Sequence, residues 1–145
     1  MSTGFHEVKL VRRLMGRLAT DSDLLDALTQ ICVAENIRLG RVEAIGAVRK
    51  VRIGYYDQGK QEYRFQEINR PLEITKLTGN ISVRNDAPAV HAHITLADAD
   101  GSAIGGHLAP GTIIFASEFI LEVYEGPQFS RTHDTPTGLP LWKLT

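Results

Sequence analysis

Three of the five histidines in this chain lie within residues 91–108, HAHITLADADGSAIGGHL. If residues 89–97 form a strand, His91, His93 and Thr95 lie on one face, because successive side chains alternate. The residues between them are apolar and are expected to face the core. Two histidines two positions apart on a strand are separated by about 7 Å at Cα. Both imidazoles could therefore reach one ion.

The loop after this strand decides where the third histidine points. Gly101 suits the left-handed last position of a three-residue loop, which would pair Asp98 with Ser102. Counting back from that pair places His107 opposite His93 and on the same face. A two-residue loop would shift the register by one residue and turn His107 away.

Three neutral imidazoles without a thiolate are a ligand set typical of zinc, or of another divalent transition metal, with a coordination position left open. The sequence therefore predicts a metal site at His91, His93 and His107. The alternative is that each histidine is simply a surface or core residue. The remaining two, His6 and His133, have no such partners and are not expected to be ligands.

Carboxylates near the predicted ligands would decide whether the site is catalytic. Bound water with a pKa lowered to about 7 would supply hydroxide, but an acid–base group is also needed. Glu73 and Glu118 lie on predicted strands and are candidates for that role, although a solvated strand residue is the favoured interpretation of Glu118. Glu73 could equally support the site by hydrogen bonding beside Thr78 and Asn80, and Thr95 is a second candidate for such support.

The elements that must position these residues are one helix and many strands. Thr20 is a plausible N-cap with Asp23 in the capping-box position, and Asn36 can adopt the left-handed conformation that ends a helix. We expect an amphipathic helix over residues 22–35. Its apolar stripe consists of Leu24, Leu28, Ile31 and Cys32.

The rest of the chain is typical of β structure. A first strand is expected at residues 5–14, and β-branched runs with turn signals fill residues 41–125. These patterns predict an α+β fold, in which a mainly antiparallel, strongly curved sheet packs on the helix. One domain is expected over residues 1–145, with a core at about 5–125. The tail, 126–145, is expected to be irregular and to dock through Leu139, Leu141, Trp142 and Leu144.

Composition limits the classes of partner. The net charge of −1 and the pI of about 6.5 provide no basic field for nucleic acid. The single cysteine, Cys32, cannot form an internal disulfide, which favours a cytoplasmic location. It lies on the apolar stripe, where a buried inert thiol is expected. No apolar run approaches the ~20 residues of a membrane span.

Several motifs between about Val8 and Glu125 resemble one known family. They are Asp23-Leu24-Leu25, Ala27-Leu28, Ile45-Gly46-Ala47, Leu72-Glu73-Ile74, Leu77-Thr78-Gly79-Asn80-Ile81-Ser82, His91-Ala92-His93 and Gly105-Gly106-His107-Leu108. Together they resemble the PPC (plants and prokaryotes conserved) domain. The resemblance implies an antiparallel sheet with a packed helix and a homotrimer. It also implies that His91, His93 and His107 bind a metal, usually taken as zinc.

Plant members of that family carry an AT-hook and a Gly-Arg-Phe-Glu-Ile-Leu stretch that contacts partner proteins. The Gly-Arg pairs at Gly16 and Gly40 lack the AT-hook's flanking residues, and residues 70–75 retain only Glu-Ile of the second motif. A DNA or protein partner therefore has little support. Two functions follow as hypotheses. The first is a trimeric, metal-containing DNA-binding and regulatory or ligand-binding module with a three-histidine zinc site. The alternative is a zinc-dependent lyase or hydrolase using metal-activated water.

Overall fold

A computed structural model describes residues 3–143 of the chain. The strands within this range are β1 (Lys9–Leu18), β2 (Gly40–Asp57), β3 (Glu62–Ile68), β4 (Leu72–Arg84), β5 (Ala87–Ala97), β6 (Ala103–Leu108), β7 (Ile113–Glu125), β8 (Arg131–His133) and β9 (Pro140–Trp142). The helix is α1 (Leu24–Ala34). None of the described helical residues belongs to a helix long and apolar enough to span a lipid bilayer.

The main sheet is antiparallel and closes partly on itself. Its strand order is β1-β7-β2-β4-β5-β6, with β3 on the far half of β2. Because β6 also pairs with β2, at Ile53 and Gly54, the strands β2, β4, β5 and β6 form a closed circuit. The long strand β2 bends at Gly46, where φ is +141° and an added Cβ would meet the Ala116 carbonyl oxygen at 2.1 Å. The predicted α+β fold with a curved antiparallel sheet is confirmed.

The helix begins later than expected, with Asp23 rather than Thr20 as its N-cap. The Asp23 carboxylate accepts a hydrogen bond from the Asp26 backbone N–H at 3.0 Å. The preceding residues cannot be helical, because Asp21 has a φ of +65° and its N–H donates to the Ile114 carbonyl at 2.9 Å. At the other end Asn36 has a φ of +51°, which confirms the expected left-handed residue.

The core lies between α1 and the concave face of the sheet. Leu24, Leu28 and Cys32 of α1 are fully buried. The apolar residues that alternate with the histidines on β5 are buried beneath the helix: Ala92, Ile94 and Leu96. The helix and core therefore brace the back of the strand that carries His91 and His93.

Two segments differ from the sequence expectation. The first strand runs over Lys9–Leu18 rather than 5–14, because its ladder with β7 starts at the pair Lys9–Glu125, where β7 ends. The tail is not wholly irregular: β8 and β9 pair with each other, and the Val83 N–H donates to the Phe129 carbonyl at 2.9 Å. Trp142 packs edge-on against Phe129, whereas Leu144 lies outside the described residues.

Candidate metal centre

The β5–β6 hairpin brings His91, His93 and His107 together. The Asp98 N–H donates to the Ser102 carbonyl at 3.1 Å, and Gly101 has a φ of +83°. This is the predicted three-residue loop, and it places His107 directly opposite His93. The register prediction is therefore confirmed.

The three imidazole rings form a compact triangle. Ring centroids are 5.3 Å apart for His91–His93, 5.3 Å for His91–His107 and 5.5 Å for His93–His107. One nitrogen from each ring lies within 4.8 Å of the other two. Nitrogens this close can converge on one cation, because Zn–N bonds are about 2.0–2.1 Å long.

The surroundings keep two of the rings neutral. Burial, followed by the positive charge of Arg131 and then by the neighbouring imidazoles, lowers the pKa of His91 from 6.5 to about 4. Burial, His93 and Arg131 lower the pKa of His107 in the same direction. A neutral imidazole is the form that coordinates metal. His91 and His107 therefore need not lose a proton to bind a metal ion at neutral pH.

The donor set fits a divalent transition metal. All three candidate donors are imidazole nitrogens, and the buried Nδ1 of His107 has no hydrogen-bond partner among residues 3–143. Buried polar nitrogens normally have a partner. When bound, such a metal would supply a Lewis-acidic position on this face of the sheet.

The structure does not bring the predicted carboxylates to the histidines. Glu73 pairs with Ala97, four strand positions or about 13 Å from His93. Glu118 pairs with Arg17 and Ile45 on the other side of the sheet order. Within one chain, strand register therefore places both carboxylates away from the histidines, and a role for either beside a metal stays a prediction.

Thr95 and the other two histidines do not join the triangle. Thr95 lies opposite Gly105 on the histidine face. Its backbone carbonyl accepts a hydrogen bond from the Thr75 hydroxyl at 2.9 Å, and no hydrogen bond joins its side chain to a histidine among the described residues. His6 packs edge-on against Phe129, with ring centroids 5.7 Å apart. His133 is exposed on β8.

Arg131 was missed from the sequence, since it belongs to a tail that was expected to be irregular. Its guanidinium lies against His91, with Nη2 at 3.4 Å from Nδ1. It donates to three neutral oxygens: Ser82 Oγ at 3.0 Å, the Pro140 carbonyl at 3.0 Å and Asn80 Oδ1 at 2.7 Å. These bonds hold the guanidinium between β4 and the C-terminal hairpin.

Tyr63 was also missed. Its ring centroid is 4.7 Å from that of His107. The sequence feature that could have indicated this contact is Gly54, which pairs with His107. A Cβ added at Gly54 would lie 3.1 Å from the Tyr63 ring. Glycine at this position of β2 leaves room for the tyrosine to reach the histidine.

Two clefts open beside the triangle. One, of about 500 Å³, is mainly apolar and includes His91, His93, Asn80, Phe129 and Trp142. The other, of about 490 Å³, we call the arginine cleft. It is lined by Tyr56, Tyr63, Arg84, His91, His107, Arg131, Leu139 and Leu141, with Glu62 also on its wall.

Solved structures with the same fold cover nearly the whole chain. A metal-containing protein from Archaeoglobus fulgidus is 36% identical, with 99% of both chains covered and a TM-score of 0.92. A plant- and prokaryote-conserved (PPC) protein from Pyrococcus horikoshii is 31% identical over 100% of this chain and 99% of that one, with a TM-score of 0.91. A protein from Bacteroides thetaiotaomicron, described as a candidate DNA-binding protein, is 27% identical, with 95% and 96% covered and a TM-score of 0.85.

Curated relatives match over only a small part of their length. The bifunctional protein GlmU from a Synechococcus strain is 32% identical over 124 residues, which is 84% of this chain but 18% of that protein. The chain thus spans about a fifth of the curated relatives it matches. The family model for the Plants and Prokaryotes Conserved (PCC) domain matches residues 5–125, and the chain therefore belongs to this family, in agreement with the resemblance of its motifs.

Proposed function

We propose that this protein is a homotrimeric, metal-dependent binding module. His91, His93 and His107 would bind one divalent transition metal per chain, zinc in the first instance. The observation that carries the proposal is the set of three imidazole nitrogens within 4.8 Å of one another. The metal-containing relative from Archaeoglobus fulgidus supports it.

A module that binds a ligand is favoured over a lyase or hydrolase. The two carboxylates that could have served as acid–base groups, Glu73 and Glu118, lie away from the histidines. The polar side chains beside the triangle include Tyr63, Arg131, Thr78 and Asn80, and none of these is a base near neutral pH. A cytoplasmic location stays a prediction from the single cysteine of the sequence.

An exposed apolar surface on β1, β2 and β7 supports self-association. Met15 is 76% and Ile45 57% exposed, and together with Ile120 they line one depression of about 600 Å³. Contiguous exposed apolar side chains mark interaction surfaces. Light scattering should give three times the 16.0 kDa chain mass, and Ile45→Lys should lower it. Val33→Lys, at an exposed apolar residue of α1, is the matched control, and a monomeric wild type would refute the trimer.

DNA binding remains the regulatory alternative, as proposed for the related protein from Bacteroides thetaiotaomicron. The net charge of −1 argues against it, because phosphate contacts require an excess of Lys and Arg. Fluorescence anisotropy with a labelled duplex should show no binding at 150 mM salt. Binding that weakens steeply with salt would favour the DNA alternative.

Metal content tests the main proposal. Plasma mass spectrometry of the purified protein should find about one zinc per chain, lost in the double variant His91→Ala/His93→Ala. The control His6→Ala/His133→Ala removes two histidines outside the triangle and should retain the metal. A wild type that carries no metal and takes up none on titration with Zn²⁺ would refute it.

A further inference from the structure

Arg131 is a partly buried cation whose hydrogen bonds go only to neutral groups. Its acceptors are a hydroxyl, an amide oxygen and a carbonyl, and within residues 3–143 it forms no ion pair. Charges removed from water are normally paired. The Arg131 guanidinium is therefore partly buried without an oppositely charged partner among the described residues.

A second arginine adds to this excess of positive charge. Arg84, an exposed residue, lines the same cleft, and its side chain forms no hydrogen bond or ion pair within the described part of the chain. Its charge acts on Arg131, whose pKa is lowered first by burial and then by Arg84. The one acid on the cleft wall, Glu62, is exposed and pairs with neither arginine. Both arginines therefore line one cleft in which neither has a carboxylate partner among the described residues.

The histidine triangle lies on the wall of this cleft and contributes no negative charge. His91 and His107 line the cleft, and the three side chains of the triangle are imidazoles, none of which can carry a negative charge as histidine ligands usually bind. The charge of a bound divalent metal would therefore remain uncompensated beside Arg131. An anion in the cleft would be attracted by both arginines and by the metal.

The remaining walls are aromatic and aliphatic. Tyr63 stacks on Phe65 and lies against His107, and Tyr56 meets Tyr63 edge-on at 5.1 Å. Leu139 and Leu141 of the C-terminal hairpin complete the lining. Such walls favour an apolar body over a fully hydrated ion.

We propose that the arginine cleft binds a small organic carboxylate, whose charged end is held by Arg84 and Arg131 and whose apolar body lies among Tyr56, Tyr63, Leu139 and Leu141. This deepens the proposed function by naming its ligand class. The proposed carboxylate site depends on the proposed metal for part of its positive charge, whereas Arg84 and Arg131 supply the rest without the metal. Guanidinium groups form charge-assisted hydrogen bonds to carboxylates. Arg84 has its whole planar fork for such a contact, whereas Arg131 keeps one Nη1 hydrogen beyond those directed at Ser82, Pro140, Asn80 and His91.

Calorimetric titration with benzoate tests the proposal on the zinc-loaded wild-type protein. Benzoate carries a carboxylate on an apolar ring, and benzamide is its neutral counterpart of the same shape. Saturable benzoate binding is expected, with benzamide at least roughly tenfold weaker. Arg84→Gln should weaken benzoate binding roughly tenfold, the effect of one lost hydrogen bond to a charged group. Arg49→Gln, at an exposed arginine paired with Asp21, is the matched control and should bind as the wild type does.

Four outcomes decide between this inference, the metal proposal and a simple anion site. Zinc retained without benzoate binding, or equal binding of benzoate and benzamide, would refute the carboxylate cleft and leave the metal intact. Arg84-dependent benzoate binding by a protein that takes up no zinc would support the cleft and refute the metal. Inorganic phosphate is titrated in parallel, and Arg84-dependent binding of phosphate alone would overturn the organic carboxylate. Arg131→Lys, which keeps the charge but loses the planar fork, should retain the fold and weaken benzoate binding.

Discussion

His93 and His107 are cross-strand partners, with their ring centroids 5.5 Å apart. Paired residues of antiparallel strands project to the same face, so a single register decides whether both rings meet. That register is fixed by the loop between Asp98 and Ser102. The candidate metal centre therefore depends on the turn geometry of five residues as much as on the histidines themselves.

Replacement of Gly101 should lower the free energy of unfolding because of its backbone conformation and not because of a steric clash. Its φ is +83°, and an added Cβ would meet no atom within 4 Å. Gly101→Val should lower the free energy of unfolding by about 1–2 kcal/mol, because β-branched residues resist the left-handed region. Urea unfolding measures the change. Gly101→Asn, which tolerates that region, should cost clearly less, and equal costs for the two would contradict the turn assignment.

Gly79 should be the more damaging glycine to replace, for a steric reason. It pairs with Ala92, and an added Cβ would lie 2.4 Å from the His91 carbonyl oxygen. We expect Gly79→Ala to destabilise the fold by roughly 1–3 kcal/mol, as overpacking does, and to reduce zinc uptake by displacing β5. Unfolding and metal content are measured on the same preparation.

The control for this variant is Gly59→Ala. Its Cβ would meet only the Asp57 carboxylate, at an ordinary 3.5 Å. It should leave zinc uptake unchanged. A Gly79→Ala protein with wild-type stability and metal content would show that β4 and β5 leave room for a Cβ at residue 79.

The histidine triangle could be predicted from the sequence because strand parity and one glycine-containing loop determine it locally. The same reasoning could not place Glu73, whose position depends on the register between β4 and β5. It also missed Arg131, which reaches His91 only because the tail forms a hairpin beside β4. The helix start was misplaced for a related reason: residues before Leu24 bond to the first residues of β7, a long-range pairing that a local capping pattern does not reveal.

The buried thiol of Cys32 should make stability fall in alkaline solution. Burial raises its pKa from 9.0 to about 11. Between these values the folded protein keeps a proton that the unfolded chain has lost, so stability decreases as pH rises, by up to about 1.4 kcal/mol per pH unit. Below pH 9 both states hold the proton and the effect vanishes.

Urea unfolding of the wild type and Cys32→Ala at pH 7.5, 9 and 10 checks this sign. The variant loses a small amount of packing at every pH but has no thiol to titrate. Its disadvantage relative to the wild type should therefore shrink above pH 9. A difference that stays constant up to pH 10 would show that the thiol ionises as readily in the folded state.

Metal removal should destabilise the protein by an amount that depends on metal concentration. A ligand that binds only the folded state stabilises it by about 2.7 kcal/mol at a free concentration one hundred times its Kd. For a domain of this size that corresponds to a drop in Tm of roughly 5–10 °C on treatment with EDTA. The loss should be reversed by adding excess Zn²⁺ and should be absent in His107→Ala, whose Tm is expected to be the same with and without EDTA.

His107→Gln is a second variant for this experiment, because it keeps a polar side chain of similar size. It is needed because His107 pairs with Gly54 as well as with His93, so that alanine could also disturb the strands. If EDTA lowers the Tm of either variant as much as that of the wild type, the stabilising metal is bound elsewhere.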